Sequence, residues 1–230
     1  MLASALVGLA GQHAADPAGV KIAFLDSTPP DDAEADAVDD IVRTLDDAGP
    51  LKVSFGRVRQ AGGLLAEFEA ERLRREEDDS AAHKPWYLFI LGLQRFRDLR
   101  QKEDDFSFSL SDGDDDDDAG GSPAEHLANL LRDGSALGLH IIAWCDTSAS
   151  LSRTLDRRGI GQFEQRAVLQ MSSSDSSNII DTPAAGKLGM NRGLLFNEEL
   201  GTLDKFRPYR MPSQDLVSKV AVSLGGSASG

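Results

Sequence analysis

The sequence predicts an α/β fold: three layers, α/β/α, with a mostly parallel sheet between two layers of helices. Three observations carry that expectation. Apolar runs at 20–25, 86–93 and 139–145 have strand length, and the second is apolar throughout, as a strand covered on both faces must be. The segments between them repeat their apolar residues at helical spacing. Strands that alternate with helices are joined by right-handed crossovers, which makes neighbouring strands parallel.

The elements follow in order. Met1 to His13 reads as an amphipathic helix. A secretory signal would need Lys or Arg ahead of the apolar run from Leu2 to Ala10, and there is none. Val20 to Leu25 reads as a buried strand ending at Asp26. Glu34 to Ala48 reads as a helix with Val38, Ile41, Val42 and Leu45 on one face. Leu51 to Val58 is a second strand, and Ala61 to Glu77 a long helix with Leu64, Leu65, Phe68 and Leu73 inward. Trp86 to Leu93 is the most apolar strand. Pro123 suits the first turn of a helix reaching Leu137. Leu139 to Cys145, Ala167 to Met171 and Leu194 to Phe196 complete the strands. One domain is expected over 1–224, with a flexible tail at 225–230.

Composition narrows the function classes. The 230 residues are enough for a sizeable core without disulfides or metals. Cys145 is the single cysteine, so no internal disulfide forms, which fits a cytoplasmic location. A formal charge of -14 repels DNA and anionic lipid at long range, but does not forbid a local basic patch. No stretch is long and apolar enough to span a bilayer as a helix. Part of the acid sits in one run, Asp112 to Asp118, broken by Gly113. Such a run reads as the solvated tip of a disordered acidic insert, 105–122.

In open parallel sheets, ligands sit beyond the carboxyl ends of the strands, so the residues that follow each apolar run decide the chemistry. A phosphate loop needs Gly-x-x-x-x-Gly-Lys-Ser/Thr between a strand and a helix, so that backbone amides and the lysine wrap the phosphates. Gly186-Lys187 is the one Gly-Lys pair. Asp181 stands where the first glycine belongs, Leu188 where the hydroxyl belongs, and no strand leads into it. After the strand from Trp86 an ATPase would carry Asp-Glu, to hold the Mg²⁺ shell and orient the attacking water. This chain carries Gln94 and Arg95 there. A neutral amide does not replace the first carboxylate, and a guanidinium does not accept a proton.

The blocks around these positions resemble the later part of the motor domain of FtsK/SpoIIIE-type DNA translocases. Phe96, Asp98 and Leu99 match that family's Asp-Glu-Phe-x-Asp-Leu, with Gln94 and Arg95 on its acidic pair. Leu130-Leu131-Arg132 through Gly138-Leu139-His140-Ile141-Ile142 is similar to its next helix and Gly-Ile-His strand. Cys145 and Asp146 replace its polar sensor. Arg166 to Asp181 resembles its strand and Asp-Ser-Arg-Thr-Ile-Leu-Asp segment, with Ser177 for the arginine. Ala184 to Gly193 resembles its Gly-Ala-Glu-Lys-Leu-Leu-Gly turn, and the helix around Glu67, Arg74 and Arg75 its Glu-Met-x-Arg-Arg helix. The likeness runs from about Val20 to Val217.

The resemblance implies a RecA-like, P-loop NTPase-like fold and a part in a ring motor for DNA. It implies no catalytic residues in this chain: the Walker B positions are Gln94 and Arg95 and the sensor position is Asp146. It places Arg166 where an arginine reaches a neighbour's nucleotide, against which stands an ordinary surface ion pair. ATP and Mg²⁺ are implied only if a Walker A segment lies upstream of Met1, whose helix reads like the one that follows that loop. The implied partners are further copies or neighbouring ATPase domains, with DNA by resemblance and no membrane. Three readings stay open: a non-hydrolysing structural or regulatory module, a C-terminal piece of a working translocase, and a protein-interaction module in a secretion or DNA-processing assembly.

Other residues carry less. His140 reads as a satisfied buried histidine. His13, His83 and His126 are too scattered for a metal site. Cys145 reads as packing. Ser172 to Ser177 lacks a Gly-x-Ser-x-Gly elbow and reads as a helix cap at Asp175 or Ser176. Arg72, Arg74 and Arg75 interleave with Glu69, Glu71, Glu76 and Glu77, as an exposed, self-neutralised helix face does.

Overall fold

A computed structural model of the chain describes residues 1–29, 31, 33–48, 52–78, 83–100 and 121–226. Residues 101–120 lie outside that set, so of the expected insert only Gly121 and Ser122 are described. The elements are α1 (Leu2–His13), β1 (Lys21–Asp26), α2 (Ala33–Ala48), β2 (Val53–Arg57), α3 (Ala61–Glu76), β3 (Trp86–Leu91), α4 (Pro123–Asp133), β4 (Leu139–Trp144), α5 (Ser148–Thr154), α6 (Arg157–Gly161), β5 (Gln165–Leu169), α7 (Ser173–Ile180), β6 (Gly193–Asn197), β7 (Thr202–Phe206) and α8 (Gln214–Gly226). Short 3₁₀ turns follow β3 at Leu93–Arg95 and Arg97–Leu99.

The first four strands form a parallel sheet in the order β2-β1-β3-β4. Each central strand feeds both faces. Ala23, Leu25, Leu88 and Ile90 pack under Leu65 and Phe68 of α3 and Leu127 and Leu130 of α4. Ile22, Phe24 and Phe89 pack under Leu6 of α1, Ile41 and Leu45 of α2 and Val217 of α8. These are the three expected layers. Burying the apolar strands on both faces is the main stabilising term, at about 25 cal/mol per Å² of apolar surface.

The later strands depart from the expectation. β5 and β6 do not extend the parallel sheet. With β7, which the sequence reading did not identify, they form an antiparallel sheet in the order β5-β6-β7. Residues 198–201 alone join β6 to β7, and so short a link cannot make the crossover that parallel neighbours need. Gly201 supplies the left-handed residue of that turn at φ 61°. Val168 and Leu194 pack this sheet on Ile179, Ile180, Ala185 and Leu188, a cluster of its own that meets the main core through Leu151.

Helix ends obey local chemistry. Ser122 caps α4, accepting from the Glu125 amide while the Glu125 carboxylate accepts from the Ser122 amide. α7 is capped by Ser172, not by Asp175 or Ser176: Ser172 Oγ accepts from the Asp175 amide and donates to the Asp175 carboxylate. α8 takes in Gly225 and Gly226, which the sequence reading gave to a tail.

The α3 arginines are not an exposed face. Arg72 and Arg75 are 6% and 3% exposed. Arg72 forks onto Glu69, which also accepts from Asn129 of α4. Arg75 binds Glu71 and donates to the carbonyls of Leu137 and Lys84, with its guanidinium over the Trp86 ring. These side chains join α3 to α4 and to the approaches of β3 and β4, and only Arg74 of the three stays in water.

Candidate functional site at the carboxyl edge of the parallel sheet

Register brings the four strand ends to one level. Asp26 pairs with Arg57 and with Leu91, and Leu91 pairs with Trp144. The residues beyond them therefore share one edge: Ser27 and Thr28, the turn from Gly92 to Arg95, and Cys145 and Asp146.

Asp26 is fully buried. Its carboxylate accepts from the Arg57 guanidinium at 2.8 Å and from the amide and hydroxyl of Thr28 at 2.7 and 2.6 Å. A buried carboxylate needs such partners, because desolvation without them costs several kcal/mol. Ser27 donates toward the carbonyls of Leu91 and Gly92, both at 2.9 Å. Gly92 turns left-handed at φ 77°, and the backbone rises into the short turn that carries Gln94 and Arg95.

Gln94 is half-buried, and its Oε1 is buried without a hydrogen-bond partner among the described residues. Arg95 is exposed, with one long contact of 3.3 Å to the carbonyl of Ser27. Asp146 is exposed and accepts from the Thr147 hydroxyl at 3.3 Å. Cys145 lies beside Gln94 and Asp146, and burial pushes its thiol pKa up, which keeps it protonated. The sequence-chosen Gln94, Arg95 and Asp146 thus share one edge.

Arg166 does not join them. It lies on β5 of the antiparallel sheet and is turned inward. Its Nη1 donates to the carbonyl of Ile179 at 2.9 Å, and its guanidinium lies 5.0 Å from the Phe196 ring centroid. It pairs with Glu198, although Nε and Nη2 make no well-aligned hydrogen bond among the described residues. Burial lowers its pKa.

The Gly186-Lys187 pair sits in a 3₁₀ turn, Pro183–Lys187, that follows helix α7 and packs on it. A strand-to-helix phosphate cradle has neither that entry nor that exit. His140 is half-buried and stacked on Tyr87, whose hydroxyl meets His13 at 3.0 Å. Burial lowers the His140 pKa and keeps the ring neutral. Among the described residues, no three His, Cys, Asp or Glu side chains are grouped to hold a metal ion, and no helix is long and apolar enough to cross a membrane.

Sequence reasoning missed the Asp26–Arg57 pair. Asp26 was visible as the end of an apolar run, but no pattern tied it to an arginine 31 positions later.

No family model matches the chain, and no curated protein matches it by sequence. Its likeness is to solved structures. The DNA-packaging ATPase B204 of Sulfolobus turreted icosahedral virus superposes with a TM-score of 0.54 at 12% identity, over 91% of this chain and 90% of that one. The genome-packaging NTPase B204 of Sulfolobus turreted icosahedral virus 2 gives 0.52 at 11% identity in complex with AMP, over 89% and 88%. In complex with AMPPCP it gives 0.51 at 12% identity, over 89% and 88%. At that identity the likeness establishes the fold alone: the chain has the α/β fold of these packaging enzymes.

Proposed function

We propose that the chain is a degenerate FtsK/SpoIIIE-like ATPase module that does not hydrolyse ATP and serves as a structural or regulatory part of a ring motor for DNA. One observation carries the reading. At the carboxyl edge, the two positions after β3 that should be acidic are an amide and a guanidinium, and the acid that ends β1 is otherwise engaged. Asp26 is buried against Arg57 and Thr28, and Asp146 faces solvent beside Thr147. Asp26, with its oxygens taken up by Arg57 and Thr28, is not set to hold a Mg²⁺ shell or to take a proton from water. The fold shared with these proteins supports the motor context, since they are named as DNA-packaging and genome-packaging enzymes.

The test is nucleotide turnover by the purified chain with Mg²⁺·ATP. Release of phosphate at the blank rate is the expected result. Turnover that disappears in Arg95→Ala and survives repurification would sink the non-hydrolysing reading.

A second reading, a piece of a working translocase whose phosphate loop lies upstream, is favoured by the topology. α1 packs on the same face as α2, and α3 and α4 pack on the other. Right-handed crossovers on one face all advance in one direction across a parallel sheet. On the α2 face that direction runs from β1 to β2. A strand delivering the chain into α1 would then belong on the far side of β3, along the outer edge of β4, which is unpaired among the described residues. Such a strand would end beside Gln94 and Asp146. Measuring the intact mass of the native polypeptide separates the readings: a mass well above this chain favours the second, and an equal mass rules it out.

A further inference from the structure

The charge of the chain is segregated. Residues 139–213 hold nine Lys and Arg against eight Asp and Glu, while the whole chain carries -14. Among the described residues, Lys187, Arg192, Lys205, Arg207 and Arg210 have no ion-pair partner, whereas Arg72, Arg74 and Arg75 of α3 are all paired.

The antiparallel register gathers Arg192, Lys205 and Arg207. Gly193 pairs with Phe206, so Arg192 and Arg207 leave the same end of the β6–β7 hairpin, and Lys205 faces Leu194. Glu198 and Glu199 sit at the other end, in the turn, about 14 Å away over the length of the strands. Met190 and Tyr209 flank the cationic end and are 85% and 83% exposed. Arginine, tyrosine and methionine are among the side chains enriched in protein interfaces.

We propose that this end of the hairpin, Arg192, Lys205, Arg207, Tyr209 and Arg210 with Met190 beside them, docks an acidic face of a second copy of the chain. The proposal rests on the reading that the chain works beside other subunits. A protein of charge -14 repels its copies everywhere except where its own sign is reversed, so a cationic end is the place where a second copy is attracted. The complementary face is helix α2. Among its described side chains, Asp39, Asp40, Asp46 and Asp47 stand against the single Arg43. Asp40 and Asp47 are exposed on it and have no ion-pair partner among the described residues.

Sedimentation of the full chain tests this, in about 0.1 M and about 1 M salt, where the screening length falls from about 10 Å to about 3 Å. Reversible self-association at low salt that weakens at high salt is expected. Arg192→Glu/Arg207→Glu/Arg210→Glu should weaken it by about tenfold or more, and Asp40→Lys/Asp47→Lys should restore it when the two variants are mixed. The double variant Arg207→Glu/Arg210→Glu, which leaves half-buried Arg192 in place, should show the same direction if the triple variant unfolds. A chain that stays monomeric at both salts overturns the proposal. So does a labelled DNA duplex that binds the wild type and not the cation variants while self-association is the same in all of them. ATP turnover measured on the same samples reports separately on the non-hydrolysing reading, which a monomeric, inactive chain would leave standing.

Discussion

The Ser27 hydroxyl occupies the space a side chain at Gly92 would need. It donates to the carbonyls of Leu91 and Gly92, and a Cβ added to Gly92 would overlap Oγ, at a residue already held at φ 77°. The end of β1 therefore shapes the turn that leaves β3, and with it the positions of Gln94 and Arg95.

Gly92→Ala should destabilise the fold by about 1–3 kcal/mol, from strain at positive φ and from displacing Ser27. Thermal unfolding measures the loss. Adding Ser27→Ala should recover part of it, because the overlap goes while the φ strain remains. Strict additivity of the two substitutions would show that Ser27 and Gly92 do not compete for space.

Arg75 and Arg74 are neighbours with different expected weights. Arg75→Leu strands the carbonyls of Leu137 and Lys84 and should cost about 2–5 kcal/mol. Arg74 shares Glu71 with Arg75 but is solvent-exposed, and Arg74→Leu should leave the urea midpoint almost unchanged. Equal losses from the two would contradict the role given to the buried carbonyl contacts.

Glu71 makes stability depend on pH. The hydrogen bond from Arg74, with that from Arg75, lowers its pKa from 4.5 to about 2 in the folded chain. A depressed folded pKa favours the native state at pH above 4.5. That contribution is lost as pH falls from 4.5 toward 2, because the folded state must give up a carboxylate that the unfolded chain has already protonated. The stability gap between wild type and Glu71→Gln should therefore shrink over that window. A gap that stays constant from pH 6 to pH 3 would remove the ion pair from the explanation.

Arg166→Ala should lower stability by about 1–3 kcal/mol, since Nη1 holds the carbonyl at the end of α7 and the guanidinium covers Phe196. Chemical denaturation of the isolated chain reads this directly. An unchanged midpoint, together with lost activity in a mixed assembly, would instead point to a role toward a neighbour.

Much of the fold was legible because burial on both faces leaves a mark that needs no partner to read. Ile22 to Leu25 and Leu88 to Ile90 are apolar and fully buried, and both lie in strands of the parallel sheet. β7 was not legible. Thr202–Phe206 is mostly exposed and has no apolar run, and it is a strand because β6 lies beside it. At the candidate site, Gln94, Arg95 and Asp146 could be found by their place after apolar runs. Asp26 and Arg57 as a pair could not.

The sequence by itself determined which segments are the buried strands of the parallel sheet, that α2 to α4 lie between them, and that an amide and an arginine follow β3. Those properties are local: hydrophobic periodicity and residue type are written along the chain. The tertiary structure alone decided that β5 to β7 form a separate antiparallel sheet, that Arg166 turns inward to Ile179 and Glu198, and that Arg72 and Arg75 are buried. Each of these depends on groups far apart in sequence meeting at hydrogen-bonding distance, and a buried charge is stable only where such partners arrive.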